Sequence, residues 1–392
     1  MVNGYQEYAR RKTMKAGIEQ DSTLELDSDD KKILALIQND MGITQAEIAS
    51  RINKIQPAVG ARILKLERRH LLATQYGIDL SATKLPVAIV RLYAKNSKDI
   101  FESITSCPYV LNAFTTLGRT NITVILAGAS IERLEEIVEI HFRSNPDIKH
   151  VEMSVAMEPI NHTILPVDFN MEAHDDMNCG KDCHVKGMER EHAEGNFEPT
   201  KAGTLGKLLK IDDDDKRIIM QLQKDPETTQ EELGELIGKS QPAVGSRIAK
   251  LTKNGILGAR KGVDYKQATG IQLMQVSIST MDVQAMVQKL RSCPIIVLGF
   301  RVVNENPLVI YIGGNSLEEI EEIVDTCIRS DENVKDVETV PVIKYLHDLI
   351  LPYNFECDFV NGIGCSGCSF CSTKITKELG ASMMSSKSAT ES

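Results

Sequence analysis

The sequence predicts an α+β fold of two repeats, each a winged or three-helix helix-turn-helix domain followed by a βαββαβ ferredoxin-like domain. Three observations lead to this prediction. QPAVGARILKL at residues 56–66 returns as QPAVGSRIAKL at residues 241–251, which indicates a duplicated unit. In each copy, helical patterns precede this segment, and alternating strand and helix patterns follow it. A chain of 392 residues also exceeds one ordinary domain core.

Each repeat begins with two predicted helices. DSDDKKILALIQND and DDDDKRIIMQLQKD place carboxylates where they cap a helix and complement its dipole. We therefore interpret residues 212–215 as a helix start and not as a metal site. The next segments begin with Thr44 or Thr229 and carry Glu47 or Glu232 three residues later. That spacing predicts a capping box at the start of both second helices.

The third helix of each repeat is the predicted recognition helix. In the first repeat, Val59, Ile63 and Leu66 fall on one arc and face a core. A different arc is small near the N-terminus and cationic further along, which suits close approach to bases and phosphates. Such a helix enters the major groove of double-stranded DNA. The predicted DNA-contacting residues are Gln56, Pro57, Ala58, Ala61, Arg62, Lys65, Arg69, Gln241, Pro242, Ala243, Ser246, Arg247, Lys250 and Lys253.

Two features of charge bear on this prediction. The net charge is −10, but binding to nucleic acid depends on how charge is distributed over a face. Basic residues cluster around both third helices, whereas the acidic residues lie elsewhere. The alternative for a single copy is an ordinary solvated helix in a three-helix bundle. Two copies that are basic at the same place favour DNA binding.

The second half of each repeat has the pattern order βαββαβ. Such sheets have open edges, so self-association through the sheet domains is expected. The predicted boundaries are helix-turn-helix domains at residues 24–82 and 210–266, ferredoxin-like domains at 85–166 and 270–352, a polar linker with a Cys motif at 167–208, a Cys-rich tail at 353–372 and a disordered end at 373–392.

The stretch LDSDDKKILALIQND, TQAEIASRI and QPAVGARILKLERRHLL, followed by βαββαβ, resembles the Lrp/AsnC (leucine-responsive/asparagine-regulator) transcription factors. The resemblance covers most of residues 24–166 and 210–352. It implies operator binding through the third helix, dimerisation through the sheets, further assembly and amino-acid sensing at subunit contacts. The family's Gly–x–Asp hairpin is absent from both LGRTN at 117–121 and VNENP at 303–307. An amino-acid effector is therefore not expected.

The fusion of two units in one chain is a second departure from the family pattern. We predict a pseudo-dimer whose two sheets pair in cis. Because the two recognition helices differ in sequence, the operator should consist of two non-identical half-sites, about 34 Å or one helical turn apart.

Six cysteines follow the two repeats. Three of them form C-x-x-C-x-x-C, whose spacing and thiolate density are typical of a zinc site or an iron–sulfur cluster. The alternative is a flexible tail with reactive thiols. The candidate metal ligands are Cys179, Cys183, Cys357, Cys365, Cys368 and Cys371.

The function class that the sequence favours is a DNA-binding transcription regulator and not an enzyme. No apolar run is long enough to span a membrane, and the N-terminus lacks an apolar segment, so a cytoplasmic protein is expected. Two alternatives stay open: a sirohaem-type decarboxylase, whose scaffold this chain resembles, and a metal or redox sensor with vestigial DNA binding. Against the enzyme, His141, His150 and His162 lack histidine counterparts in the second repeat.

Overall fold

The fold consists of two helical heads, a small sheet between them and a closed β-barrel. The computed structural model describes residues 26–104, 107–171, 205–291, 293 and 295–353. Most of the predicted linker, the Cys-rich tail after Tyr353 and the end at 373–392 lie outside the described residues. The same holds for the candidate ligands Cys179, Cys183, Cys357, Cys365, Cys368 and Cys371.

The predicted α+β class and the order of elements are confirmed in both repeats. The first repeat contains α1 (Ser28–Asn39), α2 (Gln45–Arg51), α3 (Gln56–Arg68), β1 (Ala73–Asp79), α4 (Leu80–Thr83), β2 (Val87–Ala94), α5 (Ser97–Ser103), β3 (Val110–Thr116), β4 (Ile122–Ala127), α6 (Ile131–Val138), β5 (Ile148–Pro159) and β6 (Ile164–Leu165).

The second repeat follows the same order, and its described part begins with one further short helix. It contains α7 (Leu205–Leu209), α8 (Asp213–Lys224), α9 (Gln230–Ile237), α10 (Gln241–Lys253), β7 (Leu257–Asp264), β8 (Gln272–Thr280), α11 (Val283–Arg291), β9 (Ile296–Val303), β10 (Leu308–Gly314), α12 (Leu317–Val324), β11 (Val334–Tyr345) and β12 (Ile350–Leu351). Helices α6 and α12 each continue into one π-helical turn.

The starts of the helices confirm the capping predictions. The Asp27 and Asp212 side chains accept hydrogen bonds from backbone N–H groups in the first turns of α1 and α8. The capping boxes that begin with Thr44 and Thr229 are both complete. These bonds satisfy donors that have no partner within the helix, so both heads begin their helices at the predicted residues.

The small sheet joins the two heads and has the strand order β12-β7-β1-β6. Strand β1 of the first repeat pairs antiparallel with β7 of the second. Helix α1 packs against β7, and α8 packs against β1, so each head rests on the strand of the other repeat. A Cβ atom at Gly77 would lie 2.3 Å from the Leu165 carbonyl oxygen, and one at Gly262 would lie 2.3 Å from that of Leu351. Glycine at both positions therefore permits the close approach of β6 and β12.

The two ferredoxin-like sheets form one closed barrel with the order β10-β8-β11-β3-β4-β2-β5-β9. The barrel has two seams between the repeats, β3–β11 and β5–β9, both antiparallel. The predicted pairing of the sheets in cis is thus present. The expectation that open edges pair with another copy is wrong for these strands, because each edge already pairs with the other repeat.

In the described part of the chain, every helix is too short or too polar to cross a bilayer.

Candidate nucleic-acid interface

The outer faces of α3 and α10 are the candidate DNA-binding surfaces. Their inner faces are buried, with Val59 and Leu66 in the first repeat matched by Val244 and Leu251 in the second. Of the predicted contact residues, the exposed ones are Gln56, Pro57, Ala61, Lys65, Gln241, Pro242, Ser246, Lys250 and Lys253. The half-buried ones are Ala58, Arg62, Arg69, Ala243 and Arg247.

Each outer face therefore runs from small side chains to exposed lysines. Gly60 and Gly245 lie on the side of the helix that meets the second helix of the domain. A Cβ at Gly60 would lie 2.9 Å from Gln45 Oε1, and one at Gly245 would lie 2.8 Å from Gln230 Oε1. The glycines thus let the recognition helices pack closely against the first residues of α2 and α9.

Arg62 binds a cluster of carboxylates at the start of α1. Its Nη1 atom donates to Asp27 Oδ2 at 2.7 Å and to Asp30 Oδ1 at 2.6 Å. Asp30 is buried, with a relative exposure of 3%. These hydrogen bonds raise the pKa of Arg62 above its ordinary value. The guanidinium is thereby directed into its own domain.

Arg247 makes the equivalent contacts in the second head. Its Nη1 atom donates to Asp212 Oδ2 at 2.8 Å and to Asp215 Oδ1 at 2.7 Å, and Nη2 lies 3.3 Å from Asp214 Oδ2. In both repeats the arginine ties the middle of the recognition helix to the first turn of the first helix. Charge-assisted bonds of this kind are strong and directional.

This geometry corrects one expectation from the sequence. Because neither Arg62 nor Arg247 lies on the apolar arc, the sequence alone predicts that their replacement by alanine severely weakens operator binding and leaves folding nearly intact. The structure predicts a loss of stability instead, because each arginine binds carboxylates that include a buried aspartate. A buried charge that loses its partner costs more than a lost surface contact. Both arginines position the recognition helices within their domains.

The sequence contains a signal for these ion pairs, which the periodicity of one helix does not reveal. Asp30 precedes Arg62 by 32 residues, and Asp215 precedes Arg247 by the same 32 residues. Asp27 and Asp212 precede the same arginines by 35 residues. An acidic and a basic residue that keep their spacing in both repeats indicate an ion pair within the repeat.

The aspartate clusters make the heads sensitive to acid. The backbone bond from Asp30 and the Arg62 contact lower the pKa of Asp27. For Asp212, burial raises the pKa, but the bonds from the Asp215 backbone and Arg247 outweigh it, so the net direction is also downward. A carboxylate with a lowered folded-state pKa contributes stability above its ordinary pKa and loses it as the pH falls through the folded value.

We therefore expect the melting temperature of the heads to fall steeply below pH 4, as these carboxylates gain protons. Thermal unfolding followed by circular dichroism from pH 7 to pH 2 measures this. The variant Asp27→Asn/Asp212→Asn keeps a capping side chain but cannot ionise, so its acid response should be flatter. An equally steep response in that variant would contradict the assignment.

The chain that leaves each sheet domain contacts the head of the other repeat. Gln223 of α8 donates to the Val167 carbonyl at 2.9 Å and accepts from the Val167 N–H at 2.8 Å. In the equivalent place, the Tyr353 N–H donates to Gln38 Oε1 of α1 at 2.8 Å. The segments that carry the candidate cysteine ligands begin just after these two contacts. Each head is thus held at its base by the other repeat.

The histidines considered for an enzyme lie on separate elements. His141 is buried in the π-helical turn after α6, and His150 is exposed on β5. His162 Nε2 lies 2.8 Å from Asp79 Oδ2. Burial lowers the pKa of His347 to about 4, which disfavours its charged form near neutral pH. Within the described ranges, no group of three or more His, Cys, Asp or Glu side chains is arranged to hold a metal ion.

The fold and these two faces define a class of protein: two helix-turn-helix heads carried by one pair of joined ferredoxin-like sheets. Comparison with protein families gives the particular assignment. The AsnC-type helix-turn-helix domain matches residues 26–67 and 211–252, and the Lrp/AsnC ligand binding domain matches residues 87–165. The chain belongs to the Lrp/AsnC family, as a tandem duplication of its unit.

Individual relatives match single repeats. The chain is 26% identical to the HTH-type transcriptional regulator FL11 of Pyrococcus furiosus, over 34% of this chain and 90% of that protein. It is 24% identical to the leucine-responsive regulatory protein of Rhizobium meliloti, over 36% of this chain and 94% of that protein. Among solved structures, the siroheme decarboxylase NirDL aligns with 83% of this chain and 94% of its own, at 13% identity and a TM-score of 0.49. AsnC of E. coli aligns with 34% and 93%, at 19% identity and a TM-score of 0.30.

Proposed function

We propose that this chain is a sequence-specific DNA-binding transcription regulator that reads two unlike half-sites with one polypeptide. The observation that carries the proposal is the pair of equivalent outer faces on α3 and α10. Each is exposed, small near its N-terminus and cationic further along. Small side chains admit the edges of bases, and lysines meet the flanking phosphates. Relatives named as transcriptional regulators support the same class.

The proposal assigns different roles to the predicted contact residues. The exposed Gln56, Ala61, Gln241 and Ser246 lie where a recognition helix meets base edges, and Lys65 and Lys250 lie one turn further along. Arg62 and Arg247 hold the helices in place through their aspartates. Ala61 and Ser246 occupy equivalent positions but differ in hydrogen-bonding ability. The two helices therefore favour different bases, and the operator is asymmetric.

Gel-shift titration at several salt concentrations tests the proposal, because neutralised phosphates make affinity fall steeply as salt rises. Selection of binding sites from random DNA, with the full chain, supplies the operator. The expected product has two non-identical half-sites about 34 Å apart. Recovery of perfect palindromes alone, or an affinity that does not change with salt, would overturn the proposal.

We propose in addition that the cysteine segments supply a metal or redox input. Cys365, Cys368 and Cys371 have the spacing of thiolate ligands for zinc or an iron–sulfur cluster. What favours a regulatory role is the pair of contacts from Val167 to Gln223 and from Tyr353 to Gln38, since each precedes a cysteine segment and ends on a head.

Metal analysis of purified protein, with Cys365→Ser/Cys368→Ser/Cys371→Ser as the control, tests this second proposal. Bound zinc or iron in the parent and its loss in the variant are expected. Absence of both metals from the parent would end the proposal, without affecting the prediction of DNA binding.

A further inference from the structure

The two repeats are related by a pseudo-twofold axis, on which equivalent residues meet. Gln75 of β1 lies directly opposite Arg260 of β7, and the two are equivalent by the repeat. Both are buried, at 5% and 6% relative exposure. Gln75 Nε2 and Arg260 Nη2 donate to the same Ile164 carbonyl, at 2.9 and 2.7 Å. One arginine and one neutral amide thus share this axial position.

A second axial position lies inside the barrel. Arg91 of β2 pairs in register with Glu152, and its equivalent Ser277 of β8 pairs with Glu338. Arg91 Nη2 donates to Glu152 Oε1 at 2.6 Å, and Nη1 donates to Glu338 Oε2 at 3.1 Å. Nη1 also lies 3.4 Å from Ser277 Oγ. One guanidinium therefore bridges the equivalent glutamates of both repeats, and a small neutral residue faces it.

The two seams of the barrel differ in the same manner. At the β5–β9 seam, Asn304 donates to Ser154 Oγ at 2.8 Å and also to the Glu152 carboxylate. At the β3–β11 seam, the equivalent of Asn304 is Gly118, and the equivalent of Ser154 is Val340. A Cβ at Gly118 would lie 3.0 Å from Val340 Cγ1. A polar contact at one seam thus corresponds to a glycine–valine contact at the other.

Pairing of two second repeats would fail at all three places. In such a pair, two copies of Arg260 would meet in the buried position where the single Arg260 now faces the amide of Gln75. Burial of two like charges is costly. Two copies of Ser277 would leave both Glu338 carboxylates without the guanidinium that now binds them. Asn304 would face Val340, where the present structure has a glycine whose Cβ would already lie 3.0 Å from Val340 Cγ1.

Pairing of two first repeats would fail inside the barrel. The guanidinium of Arg91 already fills the space up to Ser277, as the 3.4 Å contact shows. A second arginine at that position would overpack a buried site. At the seams, Gly118 would face Ser154, and the hydrogen bonds that Asn304 makes would have no replacement.

We propose that the barrel surface of each repeat takes the unlike repeat as its partner and rejects a second copy of itself. The three differences are complementary, because each repeat carries the arginine at one axial position and the neutral residue at the other. One barrel then always presents two different recognition helices. The inference concerns pairing alone and holds whether or not the chain binds DNA.

Single substitutions in the intact chain can reproduce the contacts that two identical repeats would make. The two repeats stay in one polypeptide, so only the contact changes. Ser277→Arg places two arginines inside the barrel, Gln75→Arg places two in the small sheet, and Gly118→Asn sets asparagine against Val340. Ser277→Arg and Gln75→Arg should each lower the ratio of folded to unfolded protein about tenfold or more in urea, because a second buried charge is left without room or partner. Gly118→Asn lies at an exposed position and should have a smaller effect in the same direction.

Exchange variants distinguish pairing specificity from general damage. Arg91→Ser/Ser277→Arg and Gln75→Arg/Arg260→Gln restore one arginine per axial position, so both should recover most of the loss. Glu152 and Glu338 flank the barrel position in equivalent places, so we expect them to bind an arginine from the second repeat as they bind Arg91. Gln272→Arg adds an exposed arginine on β8 and is the matched control. The proposal is overturned if the single variants unfold at the same urea concentration as this control, or if exchange recovers nothing.

Discussion

A chain that carries Lys65→Glu and Lys250→Glu is expected to bind its operator about 100-fold more weakly than the parent, or worse, at moderate salt. Both lysines are exposed on the outer faces of the recognition helices. Each substitution removes a cation from the phosphate backbone and adds an anion. Gel-shift titration measures the loss, and the milder Lys65→Ala/Lys250→Ala should reduce the slope of affinity against salt by about two.

A matched control separates the local effect from the change in net charge. Lys149→Glu/Lys335→Glu makes the same change at equivalent exposed positions on β5 and β11, which belong to the sheet domains and not to the heads. Its affinity should stay close to that of the parent. Equal losses in both double variants would indicate that net charge alone governs binding, and the recognition faces would lose their assignment.

The second large effect is expected on folding. Arg62→Ala/Arg247→Ala should destabilise each head by about 2 kcal/mol, since it removes charge-assisted hydrogen bonds to carboxylates. The buried Asp30 and Asp215 would lose the guanidinium that now binds them. Thermal unfolding followed by circular dichroism at neutral pH should show an earlier transition of the helical heads, while the barrel transition stays in place.

Conservative and neighbouring variants make this test specific. Arg62→Lys/Arg247→Lys keeps the charge but loses the planar fork, so its stability should lie between the other two proteins. Arg68→Ala/Lys253→Ala removes exposed cations from the last turns of the same helices and should melt like the parent. If the alanine double variant also melts like the parent, the arginines do not hold the helices.

Local patterns were sufficient to predict the three helices and the βαββαβ elements of each repeat, but not the strands of the small sheet. The spacing of Thr44 and Glu47 is a capping box in the structure, and Val59 and Leu66 are buried as their arc predicts. The order βαββαβ is present twice. These features depend on residues that are close in the chain, where the hydrogen-bonding needs of a helix end and the periodicity of burial leave few alternatives.

Contacts between distant residues were not predictable in the same way. Arg62 looked available to DNA because helical periodicity places it off the apolar arc, but the aspartates that bind it lie on another helix. Likewise, β1 and β7 form a sheet only because the two repeats come together. The periodicity of one segment carries no information about which charged residue of another segment will face it.

The sequence alone determined the duplication, the helix-turn-helix heads and the order of the sheet elements, because near-identical segments and caps act over short distances. Only the tertiary structure decided which partner each sheet edge takes and what each arginine binds. Closure of the barrel brings Arg91 to Ser277, and the small sheet brings Gln75 to Arg260, although the members of each pair are one full repeat apart in the chain. Their complementary size and charge become visible only where the pseudo-twofold axis brings equivalent positions together.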